Sequence, residues 1–134
     1  MKIRKAKKKD VQTLVKIDKQ ANKEIKWWKP MKSSDFLKLL RSGYIYVAED
    51  NDRLVGYISG TKNKHDIVFD NIYLVKKYRK KNISIKLINK FISSCKYNKT
   101  IRLTCPERLE NFYKQFGFKT TSITMVKKWK ERKK

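Results

Sequence analysis

The sequence predicts an α/β protein built as a single domain. Two kinds of apolar pattern occur along its 134 residues. Short runs are alternating or continuously apolar, as strands are, and longer stretches place apolar residues three or four apart, as on one face of a helix. Their order, βααβββαβαβ, intersperses helices among the strands, which is typical of the α/β class. A chain of this length is expected to bury one sizeable core.

The first half of the chain is predicted to contain one strand, two helices and a pair of strands. Val11, Leu14 and Ala21 recur at helical spacing, and Ser33, Ser34 and Asp35 form an N-cap signal. The turn residues 50–52 separate two strand patterns. The predicted elements are a strand over residues 2–6, a helix that begins at Lys9 or Asp10, a loop over residues 25–31, a short helix that Gly43 ends, and strands over residues 44–49 and 53–61.

The second half begins with a strand over residues 66–75 that is apolar on both faces, so it is expected to be central in the sheet. A helix is predicted next, because Leu87, Ile88 and Phe91 form a one-sided apolar stripe. The other predicted elements are a strand over residues 101–105 that Pro106 ends, a short helix over residues 109–116 closed by Gly117, a last strand over residues 118–129, and a basic tail to residue 134.

The chain is strongly basic, with 36 Lys and Arg residues, 12 Asp and Glu residues and a formal net charge of +24. Such a charge attracts polyanions, but lysine-rich composition also occurs as a background, and both explanations stay open. No apolar run is long enough to span a membrane, and the N-terminus lacks the apolar stretch of a signal peptide. We therefore expect a cytoplasmic protein. Two cysteines and one histidine lack metal-ligand spacing, so no metal site is predicted.

The most informative segment is residues 70–87, where an apolar strand leads through a basic turn into an amphipathic helix. Helix N-termini bind anions, because their first amide groups lack partners and the helix dipole is positive there. Five of the six residues of this turn are cations, which favours a phosphate-bearing ligand. They are Lys76, Lys77, Arg79, Lys80 and Lys81.

This segment resembles the acetyl-CoA loop of the GNAT N-acetyltransferases, in which Arg/Gln-x-x-Gly-x-Gly/Ala follows a strand. Here Asn82 and Ser84 stand in the glycine positions. Asparagine tolerates positive φ better than most residues, and serine is small. A second segment, F-Y-K-Q-F-G-F over residues 112–118, is similar to the family's F/L-Y-x-x-x-G-F motif. Together with the element order, the resemblance implies one GNAT-like domain over residues 1–134, with a mixed central β-sheet flanked by helices.

The resemblance implies acetyl-CoA as cosubstrate and assigns roles to individual residues. Tyr113 would be the general acid toward the departing thiolate, and a core aromatic residue is the alternative. The main chain at Ile72, Tyr73 and Leu74 would pair with the pantetheine arm. Arg79 begins the loop, and the backbone amides that would cradle the pyrophosphate are those of Lys80, Lys81, Asn82, Ile83, Ser84 and Ile85.

Asp70 is the candidate general base, because the amine must lose a proton when it attacks the thioester. Alternation along a strand places it on the face of Leu74, and a capping or salt-bridging role is the alternative. Trp27 and Trp28 fall in a region where the family has a substrate-facing loop. We expect at least one of them to lie in the core.

The resulting hypothesis is an N-acetyltransferase that transfers the acetyl group of acetyl-CoA to a primary amine by direct attack in a ternary complex. The acceptor would be a small-molecule or peptide amine, and the protein a monomer or homodimer. The alternative is a catalytically weak or inactive GNAT fold that acts as a basic nucleic-acid-binding module. Possible weak binding of nucleic acid through the basic surface is compatible with either hypothesis.

Overall fold

A single sheet of five strands organises the computed structural model, which describes residues 1–80, 82–95, 100–122, 125 and 127. The strands are β1 (Lys2–Lys5), β2 (Tyr44–Asp50), β3 (Arg53–Lys62), β4 (Asp66–Leu74) and β5 (Thr100–Arg102). They lie side by side in chain order. Strands β1 to β4 are antiparallel to one another in succession, whereas β5 runs parallel to β4. The predicted α/β class with a mixed sheet is confirmed, and β4 lies between two other strands as predicted.

Three helices cover the two faces of this sheet: α1 (Val11–Glu24), α2 (Ser33–Ser42) and α3 (Ile83–Ser94). On one face, Phe36 of α2 packs edge-to-face with Tyr57 of β3, with the ring centroids 5.8 Å apart. On the other face, Phe91 of α3 lies 5.4 Å from Phe69 of β4. A Cβ atom at Gly60 would lie 2.4 Å from the Phe91 ring, so glycine at this position allows α3 to approach the sheet closely.

Strand β4 contains a β-bulge at Asp70. Ser59 of β3 pairs with Asn71, whereas the next residue, Gly60, pairs with Phe69. Asp70 is therefore the extra residue on the bulged strand, with no partner in the register. The bulge shifts the phase of the side chains, so that residues before and after it no longer follow one alternation.

The chain divides into two compact units, Met1–Leu103 and Thr104–Lys134. In the second unit a 3₁₀ turn (Glu107–Leu109) leads into α4 (Glu110–Lys114), and Gly117 follows with a φ of 94°. The strand predicted over 101–105 ends early, at Arg102. Residues 118–122, 125 and 127 are not in a strand, so the last predicted strand is wrong where it can be compared, and its other residues lie outside the described chain. The one-domain organisation stays a prediction.

In the part of the chain that the structure describes, no helix has the length and hydropathy needed to cross a membrane. A search of the same residues finds no group of His, Cys, Asp and Glu side chains arranged to hold a metal ion.

Candidate active site

The loop between β4 and α3 takes a backbone path suited to anion binding. A 3₁₀ turn (Lys76–Tyr78) follows the strand, and Lys80 and Asn82 then adopt positive φ values of 68° and 61°. Asn82, which stands where the family pattern has glycine, thus adopts a left-handed conformation that asparagine tolerates. Lys81, between them, lies outside the described residues.

The N-terminus of α3 presents the amides that the sequence assigns to phosphate. The first hydrogen bond within this helix runs from the Lys86 N–H to the Asn82 carbonyl at 3.1 Å. The amides of Ile83, Ser84 and Ile85 precede it and have no acceptor inside the helix. They lie at the positive end of the helix dipole, where an anion is stabilised.

Arg79 is directed back toward the sheet rather than forward to the helix. Its Nε–H donates to the Leu74 carbonyl at 3.0 Å, and its guanidinium is paired with the carboxylate of Glu24 at the end of α1, one of the two contacts being 3.0 Å. The same guanidinium lies 5.3 Å from the ring centroid of Tyr73. The charge of Arg79 is thus already balanced by a carboxylate, and its contacts tie the start of the loop to α1 and to the end of β4.

Glu24 was not singled out by the sequence, because nothing in residues 11–24 indicates a contact 55 residues away. Besides Arg79 it accepts a hydrogen bond of 2.7 Å from the Tyr73 hydroxyl. Hydrogen bonding to Arg79, and secondarily to Tyr73, lowers the pKa of Glu24 to about 2. Burial and the Glu24 carboxylate raise the pKa of Tyr73 to about 12. Over the neutral range the three side chains therefore keep their charge states.

A second carboxylate holds the loop from the other side. The Tyr78 hydroxyl donates to Asp50, the last residue of β2, at 2.9 Å. This contact raises the pKa of Tyr78. The Val75 N–H also donates to the Val55 carbonyl at 2.8 Å, which extends the sheet to the start of the loop.

Beyond the bulge, one edge of β4 is not paired with any strand in the part of the chain that the structure describes. Strand β5 pairs with β4 only at Asp66, Ile67 and Val68, among the described residues. The segment with Ile72, Tyr73 and Leu74 pairs with β3 on its other edge. Apart from the Leu74 carbonyl, which accepts a hydrogen bond from Arg79, the backbone groups along this edge can accept another extended chain, as in strand addition.

Asp70 does not share a face with Leu74, so that prediction is wrong. Residues alternate regularly along β3, so Thr61 lies on the same face as Tyr57, which α1 and α2 cover. The Thr61 hydroxyl donates to the Asp70 carboxylate at 2.6 Å, which places Asp70 on that face too. The extra residue of the bulge is the reason. Asp70 is also exposed rather than buried, and its catalytic role stays a prediction.

Tyr113 lies on α4, in the second unit, and is buried. Its ring packs edge-on against Phe112 at 5.1 Å and Phe118 at 6.1 Å. Burial, with a smaller contribution from Cys105, raises the pKa of its hydroxyl. The hydroxyl is consequently protonated at neutral pH and can donate a proton or a hydrogen bond, while its role as general acid stays a prediction.

Comparison with known proteins decides the family. The family model described as "Acetyltransferase (GNAT) domain" matches residues 13–131. The chain belongs to the GNAT acetyltransferase family. Its members transfer acyl groups and use acetyl-CoA.

Solved structures share the fold of this GNAT protein at low sequence identity. A possible acetyltransferase from Clostridium difficile 630 is 24% identical, with 98% of each chain covered and a TM-score of 0.71. Glucosamine-6-phosphate N-acetyltransferase from Arabidopsis thaliana is 17% identical, with 96% and 98% coverage and a TM-score of 0.73. A predicted acetyltransferase with acetyl-CoA from Clostridium acetobutylicum is 18% identical, with 95% of each chain covered and a TM-score of 0.73. No curated protein sequence matches significantly.

The loop between α1 and α2 of this GNAT protein is fastened by a buried carboxylate. Asp18, fully buried in α1, accepts hydrogen bonds from the Trp28 Nε1–H at 3.0 Å, the Met31 N–H at 2.6 Å and the Tyr57 hydroxyl at 2.5 Å. Burial and Asp18 together raise the pKa of Tyr57. Sequence reasoning missed Asp18, although a carboxylate on the apolar stripe of α1, one residue after Ile17, is an available signal.

The two tryptophans of this loop have different environments. Trp28 is in the core and meets the edge of Tyr73 at 5.7 Å, which confirms the expectation for at least one of the pair. The ring of Trp27 is tilted by 34° relative to that of Trp28, with the ring centroids 6.1 Å apart, and Trp27 is 77% exposed. Trp28 therefore joins the α1–α2 loop to the end of β4, and Trp27 lies at the surface beside it.

Proposed function

We propose that this protein transfers the acetyl group of acetyl-CoA to a primary amine, by direct attack of the amine in a ternary complex. The observation that carries this function is an arrangement of three features in spatial order: the β4 edge that no described strand covers, the left-handed loop, and the first amides of α3, which have no acceptor within the helix. An extended arm ending in a pyrophosphate fits these three features in that order.

The cosubstrate would bind by its backbone contacts rather than through the Arg79 side chain. The pantetheine arm would pair with the edge of β4 at Ile72, Tyr73 and Leu74. The pyrophosphate would lie at the amides of residues 80–85. The exposed side chains of Lys76, Lys77 and Lys80 would add Coulombic attraction.

The proposed chemistry uses one base and one acid. The amine nitrogen attacks the thioester carbonyl carbon, the C–N bond forms and the C–S bond breaks. Asp70 accepts the proton that the amine loses, and Tyr113 supplies a proton to the thiolate, so that the products are an N-acetylated amine and free CoA. Burial raises the pKa of Tyr113, so its hydroxyl keeps the proton that the thiolate needs.

The acceptor is proposed to carry little positive charge apart from the reacting amine. The net charge of +24 repels polyamines and strongly basic peptides. The exposed carboxylate of Asp70 accepts a hydrogen bond from the neutral Thr61 hydroxyl and offers a local site for one ammonium group.

Binding and turnover of acetyl-CoA test this function. A ligand that binds only the folded state stabilises it by about 2.7 kcal/mol at a hundredfold excess over its dissociation constant. We expect CoA and acetyl-CoA to raise the melting temperature and to give a calorimetric binding signal at low salt. Mass spectrometry of a mixture of small monoamines, with and without enzyme, should then show a product heavier by one acetyl group. Absence of both the thermal shift and calorimetric binding would overturn the proposal.

A further inference from the structure

Glu24 joins two segments that are distant in sequence. It ends α1, and so stands at the start of the loop that carries Trp27 and Trp28. Its carboxylate forms an ion pair with Arg79, in the loop between β4 and α3, and accepts a hydrogen bond from the Tyr73 hydroxyl, near the end of β4. One side chain therefore connects the end of α1 to the end of β4 and to the loop between β4 and α3.

The direction of Arg79 indicates what this arrangement does. Its fork is used by Glu24 and the Leu74 carbonyl, and its planar face lies on Tyr73. A guanidinium with this many partners is not free to leave for a phosphate at small cost. Its bonds instead fix the backbone just before Lys80 and Asn82, the two residues with positive φ. A loop held in this conformation before binding does not have to be ordered by the ligand.

The same cluster continues to the loop between α1 and α2. Trp28 packs on Tyr73, its indole N–H is bound by Asp18, and its carbonyl accepts a hydrogen bond from the Asn22 side chain. Asn22 and Glu24 lie two residues apart in the last turn of α1. The two loops are thus connected through a short set of direct contacts.

We infer that Glu24 is a positioning residue for acetyl-CoA: through Arg79 and Tyr73 it holds the loop between β4 and α3 in the conformation that binds phosphate. This inference rests on the proposed function. It assigns a carboxylate a favourable effect on the binding of a polyanion, which is opposite to the effect of its charge alone.

The test is the affinity for CoA of a Glu24→Ala variant. The variant is expected to bind CoA about threefold to tenfold more weakly in calorimetry, the range for one or two side chains that must be ordered on binding. In steady-state assays the KM for acetyl-CoA should rise while kcat at saturating acetyl-CoA stays near its original value. Glu24→Gln keeps an acceptor oxygen for Tyr73, so its affinity for CoA should lie between those of the original protein and Glu24→Ala.

Asp52→Asn is the matched control. Asp52 is exposed in the turn between β2 and β3, and its substitution changes the net charge by the same amount as Glu24→Gln. By charge alone, both variants should bind CoA slightly more tightly. Weaker binding by Glu24→Gln together with unchanged or tighter binding by Asp52→Asn supports positioning. Tighter binding by both Glu24 variants would overturn it, because Glu24 would then only compete with phosphate for Arg79.

A double-mutant cycle separates positioning from general destabilisation. Arg79→Lys keeps the charge but loses the planar fork, so its effect on CoA affinity should not add to that of Glu24→Ala. Additive effects would contradict the inference. If the unaltered protein binds no CoA, the proposed function itself fails. If it binds CoA and Glu24→Ala binds equally well, only the role of Glu24 fails.

Discussion

At the scale of single residues, Tyr113 can be either a general acid or a core aromatic, and the two roles differ in measurable ways. Its ring contacts Phe112 and Phe118, so packing alone could explain its burial. Burial raises the pKa of its hydroxyl above the ordinary tyrosine value of 10.0, so the hydroxyl stays protonated in the neutral range. A proton donor of this kind remains competent throughout the neutral range.

Tyr113→Phe keeps the ring and removes the proton. We expect kcat to fall by about 10²-fold, a typical contribution of general acid catalysis, with the affinity for acetyl-CoA nearly unchanged. Activity that depends on the protonated hydroxyl should be lost only as the pH rises through the raised pKa. Steady-state kinetics and calorimetry measure the two quantities. A variant that loses stability and activity in parallel would instead indicate the core role.

Substitution of Ser59 is predicted to stabilise the protein rather than to impair it. Its side chain is 1% exposed, and its hydroxyl has no hydrogen-bond partner among the described residues. An unsatisfied buried polar group costs about 1–3 kcal/mol. Ser59→Ala should therefore raise the free energy of unfolding, by about 1 kcal/mol, in urea denaturation. Destabilisation by this substitution would mean that a bound water or another group satisfies the hydroxyl.

At the scale of elements, the loop between β4 and α3 departs from its family's pattern without losing the required backbone. Asn82 adopts a φ of 61° in the position where the family has glycine. A residue with a Cβ other than Asn or Asp is strained there by about 1–2 kcal/mol. The loop and the first turn of α3 depend on this one conformation.

Two substitutions at Asn82 test that dependence. Asn82→Ala should lower the free energy of unfolding by about 1 kcal/mol and weaken the binding of CoA, because alanine disfavours positive φ. Asn82→Gly should keep both quantities close to those of the original protein. Thermal denaturation and calorimetry compare the pair. Equal behaviour of the two variants would show that the conformation of residue 82 does not control the site.

The elements that the sequence predicts well are those with local signals. The stripe of Leu87, Ile88 and Phe91 and the basic turn before it locate α3, and all three residues are buried. The bulge at Asp70 has no such signal, because it is defined by pairing with β3 and reverses the face expected from simple alternation. Glu24 is a similar case, since its partners come from β4 and the following loop. Local pattern therefore located the loop, whereas the contacts that fix it arise from tertiary structure.

At the scale of the whole molecule, the distribution of charge matters more than its sum. Several carboxylates are engaged within the protein. Among the described residues of the first unit, arginines form ion pairs with them: Arg4 with Asp10 and Glu49, Arg79 with Glu24, and Arg102 with Asp66. Many lysines, including Lys7, Lys8 and Lys9 before α1, are exposed. The surface potential is consequently set mainly by lysine, which attracts phosphates without geometric selectivity.

Binding of single-stranded RNA is the test of this surface. We expect weak binding at low salt, with the slope of log K against log salt changing by about −0.7 for each phosphate neutralised. CoA should compete in part, because the basic loop at residues 76–80 would contact both ligands. Filter binding should compare the full chain with a chain ended at Trp129, since the predicted basic tail lies outside the described residues. Equal binding by both forms, weaker than about 10⁻⁴ M at physiological salt, would assign the charge of +24 to composition. Tighter binding that is lost on truncation would make the tail a nucleic-acid-binding segment.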